Sequence, residues 1–177
     1  MNTTLFAEQD AGATFSPCRL YRYQLWRVWD QSRAYLNVIG LNPSTADETR
    51  DDPTIRRCID FAQRWGYGGL YMTNLFAFRA TKPKVMKRAE DPIGADNNYW
   101  LQQTAARAGL AIAAWGVNGK FMDRDKAVAE MLPDLHCFRL TTSTGMPEHP
   151  LYLPKDIMPI PLSASRLTTG EGNRGER

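Results

Sequence analysis

Between residues 20 and 140 the chain alternates short apolar runs with stretches of helical period. Residues 20–29 (LYRYQLWRVW) and 34–41 (AYLNVIGL) are rich in aromatic and branched side chains and read as strands. The turn 30–33 between them predicts an antiparallel hairpin. Asp51, Asp52 and Pro53 mark a helix start, an acidic cap before proline at the first helical position. Ile55, Cys58, Ile59, Ala62 and Trp65 then recur on one helical face, and Gly66 ends it. Residues 69–76 read as the next strand, followed by a long loop. A helix over 96–108, a buried strand over 110–115, a helix over 123–132 and a short strand over 135–140 complete the series. Repeated strand–helix–strand order predicts an α/β fold. Its form is a three-layer α/β/α domain with a mostly parallel four-stranded sheet, carrying 20–29 as an N-terminal antiparallel strand. Residues 1–17 are small and polar and read as an irregular N-terminal arm; 18–162 form a single α/β domain; 163–177 (SASRLTTGEGNRGER) read as a disordered tail.

Composition narrows the class without fixing it. Hydrophobic residues make up 43% and charged residues 23%, as in ordinary globular chains, which excludes collagen-like and coiled-coil proteins. The longest apolar stretch, 109–117, is far short of the ~20 residues a membrane helix needs. Residues 1–10 have neither the basic start nor the apolar middle of a signal peptide, so no membrane role and a cytoplasmic setting are expected. Cys18, Cys58 and Cys137 stand far apart with no CxxC pair; they read as buried small apolar residues, with no metal and no cofactor implied. A net charge of +3 allows a nucleic-acid or phosphate partner without demanding one.

Ligands of open α/β sheets bind beyond the carboxyl ends of the strands. Four segments fall there: GLNPSTADETRDDP, TNLFAFRATKPK, WGVNGK and TTSTGMPEHPLYL. All four concentrate Asn, Asp, His, Arg and Gly beyond what turns alone require.

The segments LNPSTAD, DPTIRRC, NLFAFRAT, AAWG and HPLYL together resemble the bacterial and phage family called domain of unknown function 1643, over residues 21–153. That family implies no activity. More distantly, the order strand–GLNPS, strand–TNL, strand–WG, strand–HPLYL is similar to the uracil-DNA glycosylase superfamily. Its mismatch-specific branch carries Gly-Ile-Asn-Pro, matched here by Gly40-Leu41-Asn42-Pro43. The resemblance implies that Asn42 orients the attacking water and that Asn74 reads the base edge. Trp115-Gly116 matches a third strand end. His149-Pro150 matches a last motif whose His lies against the base or sugar. Leu151 replaces the Ser of that motif, so pinching of a DNA backbone and minor-groove insertion are not implied.

The residue chemistry can be weighed beside that likeness. Cleaving an N-glycosidic bond builds positive charge on the sugar and negative charge on the base, so donors are needed at the base oxygens. Asn42 can position water but is a poor general base, and a carboxylate should assist; Asp47, Asp51 and Asp52 are near in sequence. Asp51 and Asp52 read equally well as helix caps, so Asp47 is the assisting carboxylate expected beside Asn42 and His149, with a turn as its alternative role. Asn74 offers an acceptor and two donors. Phe76 and Phe78 could stack on a base or fill the core. His149 can donate to a developing oxyanion. Ser44, Thr45, Arg56, Arg79 and Lys82 are candidate phosphate or backbone contacts, or a solvated face. The expectation is a nucleobase-binding hydrolase of N-glycosidic bonds in modified or damaged DNA or in nucleotides. The alternative is a non-catalytic protein that binds a nucleic acid or nucleotide with the same pocket.

Overall fold

A computed structural model describes residues 10–163. The expected α/β class holds, but the sheet is larger than four strands and mixed: seven strands lie in the order β1-β2-β4-β3-β5-β6-β7. These are β1 (Asp10–Phe15), β2 (Arg22–Val28), β3 (Tyr35–Gly40), β4 (Gly69–Asn74), β5 (Leu110–Ala113), β6 (His136–Cys137) and β7 (Ile160–Pro161). Strands β4, β3, β5 and β6 run parallel, while β1, β2 and β7 are antiparallel to their neighbours. The helices are α1 (Pro53–Arg64), α2 (Pro83–Met86), α3 (Asn97–Arg107) and α4 (Arg124–Met131).

Three sequence expectations need correction. The hairpin of 20–29 with 34–41 does not form, because β4 inserts between β2 and β3. Gly68 permits the insertion. Its carbonyl accepts from Trp29 and Asp30 and its N–H donates to Ala34, and a Cβ there would lie 1.9 Å from the Asp30 carbonyl oxygen. The arm 1–17 is not wholly irregular, since residues 10–15 pair with β2; residues 1–9 lie outside the described residues. Gly12 is a poor strand former, but the Trp26 ring of β2 covers it, leaving no room for a Cβ. Cys18 is exposed, whereas Cys58 and Cys137 are buried as expected. The tail expected over 163–177 lies, past Ser163, outside the described residues.

Helix α1 starts where the sequence places it. Asp52 Oδ1 accepts from the Ile55 N–H at 2.9 Å and Pro53 follows as the first helical residue. Ile55, Cys58, Phe61 and Ala62 bury the apolar face against Leu36, Val38, Leu70 and Met72. Ile39 and Ala113 point to the opposite face, where Leu101 of α3 and Val128 of α4 cover them. Helices thus pack on both faces, leaving the carboxyl edge of the parallel strands open for loops.

Candidate functional site

A cleft of about 480 Å³ opens at that edge. All four loops picked out in the sequence reach it. Asn42, Ser44 and Thr45 come from the first, Asn74 and Thr81 from the second, Gly116 and Asn118 from the third, and His149 and Leu151 from the fourth.

The first loop is fixed by Asn42. Its Nδ2 donates to the carbonyls of Pro43 at 3.0 Å and Ala80 at 2.7 Å. Two carbonyl acceptors require the amide nitrogen on that side, so Oδ1 is left without a hydrogen bond among the described residues, on a side chain that lines the cleft. Asn74 ends β4 and is only 3% exposed. Its Nδ2 is buried with no partner among the described residues, and its Oδ1 lies 2.8 Å from where a Cβ on Gly40 would be. Gly40 is therefore glycine because the amide passes over its Cα. Asn97 of α3 holds the backbone beneath, donating to the carbonyls of Asn74 and Leu75. Trp115, also buried against the cleft, has an indole N–H without an acceptor.

The fourth loop is docked from two sides. Gly116 N–H donates to Pro147 O at 2.9 Å, and Arg57 Nη2 of α1 donates to Leu153 O. Between these ties, His149 Nδ1 accepts from the Leu151 N–H at 3.3 Å, which places the ring proton on Nε2. The ring keeps a solvent-exposed side, yet the surrounding protein lowers its pKa, with the Asp52 carboxylate opposing the shift. Neutral His149 is thus an Nε2–H donor at the cleft.

Other sequence candidates do not reach the cleft. Asp47 Oδ1 accepts from Thr49 and Arg50 backbone N–H groups, which hold its pKa down, so it is a turn former. Asp51 pairs with Arg27. Phe76 is fully buried in the core beside Phe121, and Phe78 packs edge-on to Tyr21. Arg56 is exposed and donates to Asp51 O. Arg79 lies over the Phe15 ring and donates to Arg19 O. Lys82 is exposed before α2. Asp52, read in the sequence as a helix cap, caps α1 and also lines the cleft, the one acid to do so among the described residues.

One cleft residue escaped the sequence reading. Arg22 begins β2 and is 3% exposed. Its Nη1 donates to Ala46 O at 2.6 Å, and its Nε has no partner among the described residues. In LYRYQLWRVW it looks like the solvent-side residue of a strand. Only the antiparallel pairing of β2 with β4 brings the amino end of β2 to the carboxyl edge.

Among the described residues no helix is long and apolar enough to cross a membrane, and no cluster of His, Cys, Asp and Glu could hold a metal ion. No curated protein and no solved structure matches the chain. A family model does match, over residues 22–151, which spans both β2 and the His149 loop. The chain belongs to the family described as protein of unknown function (DUF1643).

Proposed function

We propose that the cleft binds a nucleobase and hydrolyses its N-glycosidic bond, in modified or damaged DNA or in nucleotides. One observation carries the reading: amides from two strand ends and an imidazole from a third loop meet in one cleft, and the Asn74 Nδ2 is buried there without a partner. An amide so placed supports recognition of a hydrogen-bonding edge, because an unfilled buried donor costs about 1–3 kcal/mol that a ligand would recover. In this reading Asn42 Oδ1 accepts from the attacking water, held by its own Nδ2 bonds. His149 Nε2–H donates to the base oxygen on which charge develops, where one such donor is worth about 10²–10³ in rate. Asp52 is the only acid on the cleft wall among the described residues and takes the place the sequence reading gave to Asp47 as an assisting carboxylate.

A non-catalytic nucleotide binder is the second reading. It is favoured by Asp52 itself, whose Oδ1 is already engaged by the Ile55 N–H as the cap of α1. An excision assay separates the two. Oligonucleotides carrying uracil, hypoxanthine, mismatched thymine or hydroxymethyluracil, single- and double-stranded, are incubated with the protein and then cleaved at abasic sites. Excision lost in Asn42→Ala with His149→Ala is the expected result. Salt-sensitive binding without excision selects the binder.

A further inference from the structure

Arg22 has no role in reading a base, and its surroundings ask for an anion. It is a buried cation with no carboxylate within ion-pair distance among the described residues. The Asp52 and Asp47 carboxylates act on it only from beyond ion-pair distance, and a buried charge without a direct counter-ion is costly unless something completes it. Burial lowers its pKa to about 10, so it stays a cation at neutral pH. The amino end of α1 faces the same cleft. There Pro53 has no N–H, Asp52 takes the Ile55 N–H through its side chain and the Arg56 N–H through its carbonyl, and the Thr54 N–H has no partner among the described residues. The hydroxyls of Ser44, Thr45 and Thr54, all on the cleft, make no hydrogen bond among the described residues.

We propose that this end of the cleft is a phosphate subsite, in which Arg22, the Thr54 N–H and the Ser44 and Thr45 hydroxyls hold a phosphate ester of the ligand. The proposal rests on the reading of the cleft as a nucleobase pocket and names its substrate as a nucleotide, not a free base or nucleoside. A guanidinium fork matches two phosphate oxygens, and a helix amino end adds backbone donors and a favourable dipole. The layout fits an elongated ligand. β2 carries Arg22 and β4 Asn74, while Asn42 follows β3 and Trp115 follows β5, so the cleft crosses three strand spacings, on the order of 14 Å. Asp52 opposes the anion, but its Oδ1 is engaged by the Ile55 N–H that it caps. The phosphate could belong to a free 5′-nucleotide or to a DNA chain, and the test separates these.

The full chain is titrated calorimetrically at low salt. The ligands are deoxynucleosides of uracil, thymine, hypoxanthine and hydroxymethyluracil, their 5′-monophosphates, inorganic phosphate, and oligonucleotides containing the same bases. The 5′-monophosphate should bind about 10- to 100-fold more tightly than its nucleoside. Arg22→Gln should remove that gain and leave nucleoside binding as it was. Should Arg22→Gln not fold, the wild-type Arg22 Nε–H resonance, assigned through a folded Arg22→Lys, should move on adding inorganic phosphate. Equal binding of nucleoside and monophosphate overturns the subsite and leaves the base pocket standing, as does an unmoved resonance. A phosphate gain lost in Arg22→Gln with no preference among bases keeps the subsite and overturns the base reading. Tighter binding of the oligonucleotide than of the monophosphate makes DNA the source, and the reverse makes it a free nucleotide.

Discussion

Asn37 and Asn74 are buried asparagines on neighbouring strands, and the fold treats them oppositely. In mid-sheet, Asn37 Nδ2 donates to Thr73 Oγ1 at 3.3 Å, and Asn37 Oδ1 accepts from the Thr73 hydroxyl at 3.4 Å. At the carboxyl edge, one residue beyond Thr73, the Asn74 Nδ2 has no partner. Asp125 of α4 marks the difference from another side. Both of its buried carboxyl oxygens lack hydrogen bonds, but burial raises its pKa, which favours the uncharged acid. An amide has no such escape, and the Arg22 guanidinium keeps its charge. The middle of the sheet is therefore finished within the chain. At its open edge the Asn74 amide and the Arg22 Nε are left without partners among the described residues.

The sharpest separation of the two regions is a core truncation. Phe61 of α1 is fully buried and packs on Trp65 and Phe138, with ring centroids 5.4 and 4.8 Å away. Phe61→Ala should cost about 3–5 kcal/mol of stability in urea denaturation. The fraction still folded should bind ligand with unchanged affinity, since Phe61 does not line the cleft. Lost affinity in that folded fraction would mean that core and edge are not separate.

The asparagine pair tests the comparison directly. Asn37→Ala leaves the Thr73 hydroxyl buried without its partner and should cost about 1–3 kcal/mol, with binding intact. Asn74→Ala removes a group that has no partner to lose, so its melting temperature should fall less, while base affinity drops about tenfold or more. Thermal melts and base titrations of both variants check this. An Asn74→Ala protein as unstable as Asn37→Ala would show that Asn74 holds the fold and not a ligand.

How far this was legible in the sequence follows the same division. The α1 cap and apolar face, the glycine stops and the four edge loops are local signals, and their ranges lie within a few residues of the observed ones. The position of β4 between β2 and β3 was not legible, because pairing depends on Gly68 meeting the Asp30 carbonyl, a contact between residues far apart in the chain. Strand β1 escaped because its pairing rests on Trp26 covering Gly12, and β7 because it is two residues long. The candidate residues divide likewise. Asn42, Asn74 and His149 stand at strand ends or in loops that any parallel α/β sheet brings to one edge, so their sequence position was informative. Asp47, Phe76 and Arg79 carry the right chemistry but are taken up by a turn, the core and an aromatic ring. Arg22 could be placed only once the strand order was known.

The smallest expected effect concerns His149 and follows from the sign of its shift. Its folded pKa lies below the ordinary value of 6.5, first because the surrounding protein disfavours the charged ring, with Asp52 acting against this. Between the two pKa values the unfolded chain binds more protons than the folded one, so stability rises with pH across that window. The contribution is complete above about pH 6.5 and is lost as pH falls toward the folded pKa. Because the ring has a solvent-exposed side, the slope should be shallow. Urea denaturation of wild type and His149→Gln between about pH 5 and 7 should show the wild type losing more stability on the acid side. Protonation also removes the Nδ1 acceptor of the Leu151 N–H, so the same acid limb should loosen the turn that carries the ring. Parallel curves for the two proteins would mean that His149 is not held neutral, and the assignment of its Nε2–H as the donor facing the ligand would fall with it.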